Sequence, residues 1–254
     1  MRIKKIKLYD LLINLTLIIT LSMHDKNKLV IGMQFLLIIF FVFRYCKNGK
    51  FIIPKGTKPY LSRYSMFILL CMASYMWSIN KDGWLKINIS IIQCVCIGVC
   101  IIYYADSEKH KDNILYAAVI GALILAIRML IRVPVDAWGV KRVGDYVGYG
   151  NVGVTYVMAP ASIISFYLAY KYKNKRFYVL TAVLFVISAL SGSKKGPVIF
   201  LAGAAIILVK TSKDRSKLFR NILFAGFLIG SMYLRIMKSP LLYNALGIRI
   251  VQAL

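Results

Sequence analysis

Apolar segments, each close to the length of a membrane-crossing helix, follow one another along most of the chain. A helix needs about 20 mostly apolar residues to cross the hydrocarbon core of a bilayer, and roughly 17–25 are tolerated. The sequence therefore predicts an all-α fold: a polytopic transmembrane helix bundle of about nine spans (range 8–10), forming one integral membrane domain over residues 1–254. The predicted spans are 8–23, 29–43, 65–79, 87–104, 114–133, 152–170, 177–190, 197–209 and 222–237.

Composition excludes most soluble classes of protein. The chain is 59% hydrophobic with a mean hydropathy of +0.69, whereas soluble chains average about 45–50% apolar. Lys and Arg total 34 against 9 Asp and Glu, a formal net charge of +25. Nucleic-acid binders share such a balance, but here the charges form short clusters between apolar segments, without a continuous basic face for a duplex. Disordered chains, secreted disulfide scaffolds, ordinary cytosolic enzymes and nucleic-acid binders are therefore excluded.

The distribution of basic residues predicts the orientation. Cytoplasmic loops of membrane proteins carry an excess of Lys and Arg. With the N-terminus in the cytoplasm, 21 of the 34 basic residues fall in inside segments. The start MRIKKIK, followed by an apolar segment, lacks a small-residue cleavage site and is interpreted as leading into a retained first helix. The N-terminus is therefore predicted inside, and an odd number of spans predicts the C-terminus outside.

Basic residues on the predicted outer side point to an anionic ligand. Like charges four residues apart on a helix repel, and arginine near the membrane is costly unless it is paired. A phosphate-bearing ligand would compensate these cations, because guanidinium and ammonium groups match phosphate oxygens. Snorkelling onto lipid headgroups is the alternative for each pair. The candidates for substrate binding are Arg128, Arg132, Lys141, Arg142, Lys194, Lys195 and Arg235, with Lys238 beside the last.

The turn Ser191–Pro197, with the sequence SGSKKGP, suggests an anion site of its own. Exposed N–H groups at a helix start favour anions, and the hydroxyls of Ser191 and Ser193 with two lysines would assist them. Pro197 suits the first turn of the following helix. A tight interhelical turn that needs small residues is the alternative.

The loop 134–151 contains a glycine- and tyrosine-rich stretch, Arg142–Asn151. Three glycines and two tyrosines there predict an ordered, closely packed loop with aromatic faces, suited either to sugars or to the membrane interface. The cysteines do not predict a metal site, because Cys94 and Cys96 in the fourth span point to different faces. No metal ion or other cofactor is predicted.

Three stretches resemble the O-antigen polymerase and O-antigen ligase superfamily, whose members handle polyprenyl-pyrophosphate-linked glycans outside the bacterial cytoplasmic membrane. The resemblance runs from about Tyr75 to Gly203, and all three stretches lie on the predicted outer side. They are SYMWSINKDGWLKINIS, similar to the family's Trp-Ser turn; RVGDYVGYGNVGVTYV, similar to its Arg-Gly-rich loop before a helix; and LSGSKKGPVIFL, similar to its Ser-Gly-Ser-Arg/Lys-Gly turn.

The resemblance implies transfer of a glycan from its polyprenyl pyrophosphate onto a sugar hydroxyl, in capsule, O-antigen or exopolysaccharide assembly. It implies a multi-pass protein of the bacterial cytoplasmic membrane with a lipid-linked glycan and membrane lipid as partners, and no metal requirement. Deprotonation of the acceptor needs a general base, for which Asp136 and Asp145 are the outer-side candidates, with His24 in a distant loop. A flippase or other transporter of lipid-linked glycans is the alternative activity.

The C-terminal stretch departs from the family. Residues 238–254 are interpreted as the start of an extracytoplasmic loop that the family continues with further helices. The sequence thus predicts a chain that does not polymerise or ligate glycans alone and that pairs with a complementary half or other polysaccharide-assembly proteins. A non-catalytic membrane subunit or a gene fragment is the alternative.

Overall fold

The computed structural model describes residues 8–23, 27–48, 58–138, 143–191 and 195–211. Within these ranges the chain is all-helical and contains no strand. Two short 3₁₀ turns, Val135–Ala137 and Val143–Val147, lie between the fifth and sixth helices, and a third, Ser74–Trp77, follows the third helix. The helices of the described ranges are α1 (Leu8–Ser22), α2 (Asn27–Asn48), α3 (Lys58–Ala73), α4 (Lys81–Tyr104), α5 (Glu108–Arg132), α6 (Gly150–Tyr172), α7 (Lys175–Leu190) and α8 (Lys195–Thr211).

Three helical segments are long and apolar enough to cross a membrane: Lys81–Tyr104, Glu108–Arg132 and Gly153–Tyr172. The stretches Leu8–Ser22 and Lys28–Phe43 are shorter apolar helices. A helix covers most of each of the first eight predicted spans, and the ninth, 222–237, lies outside the described residues. The third helix differs most from its prediction, since α3 ends at Ala73 rather than at residue 79.

The chain divides into two compact units, and the boundary falls within α5. Unit 1 comprises residues 1–117, in which α1 packs on α2, and α4 packs on both α2 and α3. Polar side chains join its helices: Gln93 of α4 donates to Gln34 of α2 at 2.6 Å, and Gln34 donates to Thr20 of α1 at 3.2 Å. Its buried apolar core contains Tyr9, Leu12, Ile13, Leu37, Cys100 and Tyr104.

A second polar cluster of unit 1 surrounds His110, near the start of α5. Its Nδ1 lies 2.6 Å from the carboxylate of Asp106, and its Nε2 lies 4.0 Å from that of Asp10 in α1. The ring of Tyr104 stacks on the imidazole at 4.5 Å. Asp10 of α1 therefore lies near a polar partner in the folded chain.

The connection between α3 and α4 is held by Trp84. Its indole N–H donates to the carbonyl of Cys71 at 3.0 Å and to the hydroxyl of Ser74 at 2.9 Å. The ring of Tyr75 packs edge-on against this indole at 4.8 Å. Asn80 caps α4 by accepting from the N–H of Gly83 at 2.8 Å. These contacts end α3 early and turn the chain into α4.

Unit 2 comprises residues 118–254, and its described part contains three helices that pack on one another: α6, α7 and α8. Aromatic rings lie between these helices. The ring centroid of Phe200 in α8 lies 6.4 Å from that of Phe166 and 4.8 Å from that of Phe185. Gly203 brings α8 close to α6, because a β-carbon there would come within 2.8 Å of Ile163 Cγ1. Small residues at helix contacts allow this approach in membrane proteins.

Hydrogen bonds and contacts fix the direction of these three helices. The hydroxyl of Tyr170, near the end of α6, donates to the carbonyl of Thr211 at the end of α8 at 3.2 Å. At the opposite end, Thr155 of α6 and Ser188 of α7 lie against Gly196, the second residue of α8. We call this second end, with the 3₁₀ turn Val143–Val147 that packs on α6, the loop end of unit 2.

Candidate functional site

The turn that precedes α6 is ordered and packed, as its glycine- and tyrosine-rich sequence predicts. Val143, Gly144 and Val147 are buried. The N–H of Tyr149 donates to the carbonyl of Gly144 at 2.9 Å. Gly148 has a φ of 77°, which favours glycine because a side chain is strained there. The side chains of Asp145 and Tyr146 remain exposed, so this turn presents a carboxylate and an aromatic ring outward.

Three helices meet at the start of α8. A β-carbon added to Gly196 would collide with Ser188 Oγ of α7 and would lie 3.3 Å from Thr155 Cγ2 of α6. Gly196 is itself buried. The absence of a side chain at Gly196 therefore allows the first turn of α8 to sit directly against two hydroxyl-bearing side chains. Gly196, which the sequence places either in an anion site or in a tight interhelical turn that needs small residues, thus lies at a close contact between helices.

The hydroxyls of Thr155 and Ser188 differ from those of Ser162 and Thr181 on the same two helices. Thr155 is 0% and Ser188 1% exposed, and among the described residues neither hydroxyl has a hydrogen-bond partner. A buried hydroxyl normally finds a partner, and leaving it without one costs about 1–3 kcal/mol. Ser162 and Thr181, buried on the same two helices, donate to the carbonyls of Met158 and Phe177, each at 2.8 Å.

The start of α8, against which these two hydroxyls lie, carries positive charge. Lys195, the first residue of α8, is exposed. The first turn of a helix carries unpaired N–H groups and the positive end of the helix dipole. Together these features suit an oxyanion such as phosphate.

The residues predicted to bind substrate differ in their exposure, and several of them lie outside the described residues. Ser191 is buried, and its hydroxyl donates to the carbonyl of Ser188 at 2.7 Å, so it closes the end of α7. Lys195 is exposed at the loop end. Arg128 is half-buried and Arg132 exposed in the last two turns of α5. The remaining predicted residues lie outside the described residues: Lys141, Arg142, Ser193, Lys194 and Arg235.

The structure therefore places Ser191 at the end of α7 and Lys195 at the start of α8, and it adds Thr155 and Ser188, which sequence reasoning missed. The sequence did not single out these two residues, because what they share is a contact between helices that are distant in sequence. A threonine or serine in an apolar helix usually bonds to its own backbone, so its presence alone predicts no site. Within the described part of the chain, no group of three or more His, Cys, Asp or Glu side chains is arranged to hold a metal ion.

No protein-family model, curated protein or solved structure matches this chain.

Proposed function

We propose that this protein acts, together with other polysaccharide-assembly proteins, as an extracytoplasmic glycan polymerase or ligase, which transfers a polyprenyl-pyrophosphate-linked oligosaccharide onto a sugar hydroxyl in bacterial surface-polysaccharide assembly. The loop end of unit 2 supports this proposal. Two of the stretches that resemble the superfamily, 142–157 and 190–201, are distant in sequence, and parts of both lie against each other at Thr155 and Gly196.

The chemistry of this end suits the reaction. Transfer breaks the bond between the anomeric carbon and the pyrophosphate, and cations stabilise the charge that develops on the leaving group. Lys195 supplies such a charge at the loop end, and the sequence of the 134–151 loop and of the 191–197 turn contains further basic residues. Asp145, exposed on the ordered turn, supplies a carboxylate that accepts the proton of the acceptor hydroxyl.

The proposal includes a topology: nine spans in the bacterial cytoplasmic membrane, with the N-terminus inside and the loop end of unit 2 outside. Reporter fusions after Lys194 and after Lys213 test it. We expect the first to report the extracytoplasmic side and the second the cytoplasm. The reverse result at both positions would contradict the orientation and remove the proposed reaction with it.

Donor binding by the purified chain tests the function itself. We expect nanodiscs that contain the protein to retain polyprenyl pyrophosphate in preference to polyprenol. Lys195→Gln should weaken this binding about tenfold or more, since charge-assisted contacts contribute about 1.5–3 kcal/mol. Lys210→Gln is the matched control, because Lys210 is exposed in the last turn of the same helix.

Equal binding of polyprenol and polyprenyl pyrophosphate would contradict the proposal, and so would equal effects of the two substitutions. Movement of an intact lipid-linked oligosaccharide across proteoliposomes would instead establish the flippase or transporter alternative.

A further inference from the structure

We propose that Thr155 and Ser188 bind a phosphate group at the start of α8, with their hydroxyls donating to its oxygens beside the first-turn N–H groups of that helix. This inference rests on the proposed function for the source of the phosphate, a polyprenyl pyrophosphate. Its site is defined by described residues of unit 2 alone: Thr155 of α6, Ser188 of α7, and Lys195 and Gly196 of α8.

The first argument is that the two buried hydroxyls have no hydrogen-bond partner among the described residues. Three other hydroxyls on these helices, those of Ser162, Thr181 and Thr211, donate to the carbonyl four residues earlier. The same arrangement is open to any serine or threonine in a helix. Thr155 and Ser188 are buried and do not make this hydrogen bond to the backbone, and no other described residue accepts from or donates to their hydroxyls. Two donors at one point thus remain available to a ligand.

The direction of the two side chains is the second argument. Ser188 Oγ faces the second residue of α8, because it occupies the space that a β-carbon of Gly196 would need. Thr155 turns its methyl group to the same point, at 3.3 Å. A single rotation about χ1 exchanges the methyl and the hydroxyl of a threonine at little energetic cost. Both hydroxyls can therefore be directed at the first turn of α8. Because a β-carbon of Gly196 would already collide there, a phosphate oxygen reaches them only when this turn shifts away from α6 and α7.

The surrounding charge selects the class of ligand. A helix start favours anions over cations. Lys195, one residue before Gly196, is exposed and adds a full positive charge. Hydroxyl and N–H donors that converge beside an ammonium group match a tetrahedral oxyanion and exclude a metal cation.

The experiment measures binding of inorganic pyrophosphate and of polyprenyl pyrophosphate to the full chain in nanodiscs. The test variants are Thr155→Val and Ser188→Ala, which remove the hydroxyls and nearly preserve volume. The matched controls are Thr181→Val and Ser162→Ala, which remove buried hydroxyls that already have backbone partners. Thr155→Ser, which keeps a hydroxyl, tests for rescue. Thermal melting of each variant verifies that the fold is retained.

We expect each test variant to weaken binding of both ligands about tenfold, with the controls and Thr155→Ser close to the wild type. Unchanged binding in the test variants would overturn the inference, and the proposed function would stand if Lys195→Gln still weakened donor binding. Equal losses in the control variants would also overturn it. Binding of inorganic pyrophosphate without preference for the lipid-linked form would support the phosphate site and contradict its assignment to a lipid-linked donor. A wild-type chain that bound neither ligand would overturn both.

Discussion

Glycines allow close contacts between helices in unit 2, whereas two helical glycines of unit 1 lie at open positions. In unit 1, Gly32 and Gly98 lie within α2 and α4, and a β-carbon at either position would meet nothing within 4 Å. In unit 2, Gly196 and Gly203 lie within α8, and a β-carbon at either would collide with a side chain of α7 or α6. Unit 2 therefore depends on close approach of helices at α8.

Unit 1 is joined in another way, by polar side chains that bond across helices. Gln93, Gln34 and Thr20 form a chain through three helices, and Trp84 fastens α4 to the end of α3. Interhelical hydrogen bonds in membranes contribute modestly, about 0.6 kcal/mol on average, whereas overpacking a close contact costs about 1–3 kcal/mol. We therefore expect substitutions at the close contacts of unit 2 to have the larger effects.

The largest effect is expected for Gly203→Val. Its β-carbon would overlap Ile163, so the free energy of unfolding should fall by about 2–3 kcal/mol. Unfolding in mixed micelles measures the change, with Gly98→Val as the control at an open position. Ile163→Ala should relieve part of the loss. Equal destabilisation by Gly203→Val and Gly98→Val would contradict the contrast between the units.

The next effect is expected for Gly196→Ala, which should destabilise by about 1–2 kcal/mol because the new methyl group meets Ser188 Oγ. The same substitution at Gly32 should be neutral or stabilising, since alanine favours helix over glycine by about 1 kcal/mol. Combining Gly196→Ala with Ser188→Ala tests the cause. If the double variant were no more stable than Gly196→Ala alone, the assigned contact would be wrong.

A smaller effect is expected for Trp84→Phe in unit 1, about 1 kcal/mol, because the indole N–H that bonds to Cys71 and Ser74 is lost. Trp77→Phe is the matched control, since Trp77 is 69% exposed. Thermal melting should show a loss for the first variant only. Equal melting temperatures for both variants would contradict the role of Trp84 in joining α4 to α3.

The smallest effect is expected for the amide pair of unit 1. Gln93→Leu and Gln34→Leu, alone and combined, form a double-mutant cycle whose coupling energy should be about 0.6 kcal/mol. The energy is small because the unfolded segments also find polar partners within the membrane. A coupling energy near zero would show that the 2.6 Å contact does not stabilise unit 1.

The sequence predicted the helices well where segments were long and apolar, as in α5 and α6. The end of α3 was predicted wrongly, because the bonds from Trp84 to Cys71 and Ser74 end the helix and lie in tertiary structure. The role of Ser191 in ligand binding stays a prediction, and the bond from its hydroxyl to the carbonyl of Ser188 at the end of α7 was not predicted.

The candidate site was only partly readable from the sequence. The glycines and lysines of the 191–197 turn predict an anion site at the start of α8, where Lys195 is exposed, and that site stays a prediction. Thr155 and Ser188 were not predicted, since their shared contact with Gly196 exists only after α6, α7 and α8 pack. The cross-helix pairing of Gln34 with Gln93 was unpredictable for the same reason.

Photo-crosslinking tests the central claim most directly, namely that the loop end of unit 2 binds the pyrophosphate of a lipid-linked glycan. The probe is a polyprenyl pyrophosphate whose first sugar carries a diazirine, and mass spectrometry identifies the labelled peptides. We expect labelling of peptides that contain residues 143–149 or 188–196, and excess inorganic pyrophosphate should suppress it. Labelling confined to α1–α4, or labelling that pyrophosphate leaves unchanged, would contradict the account.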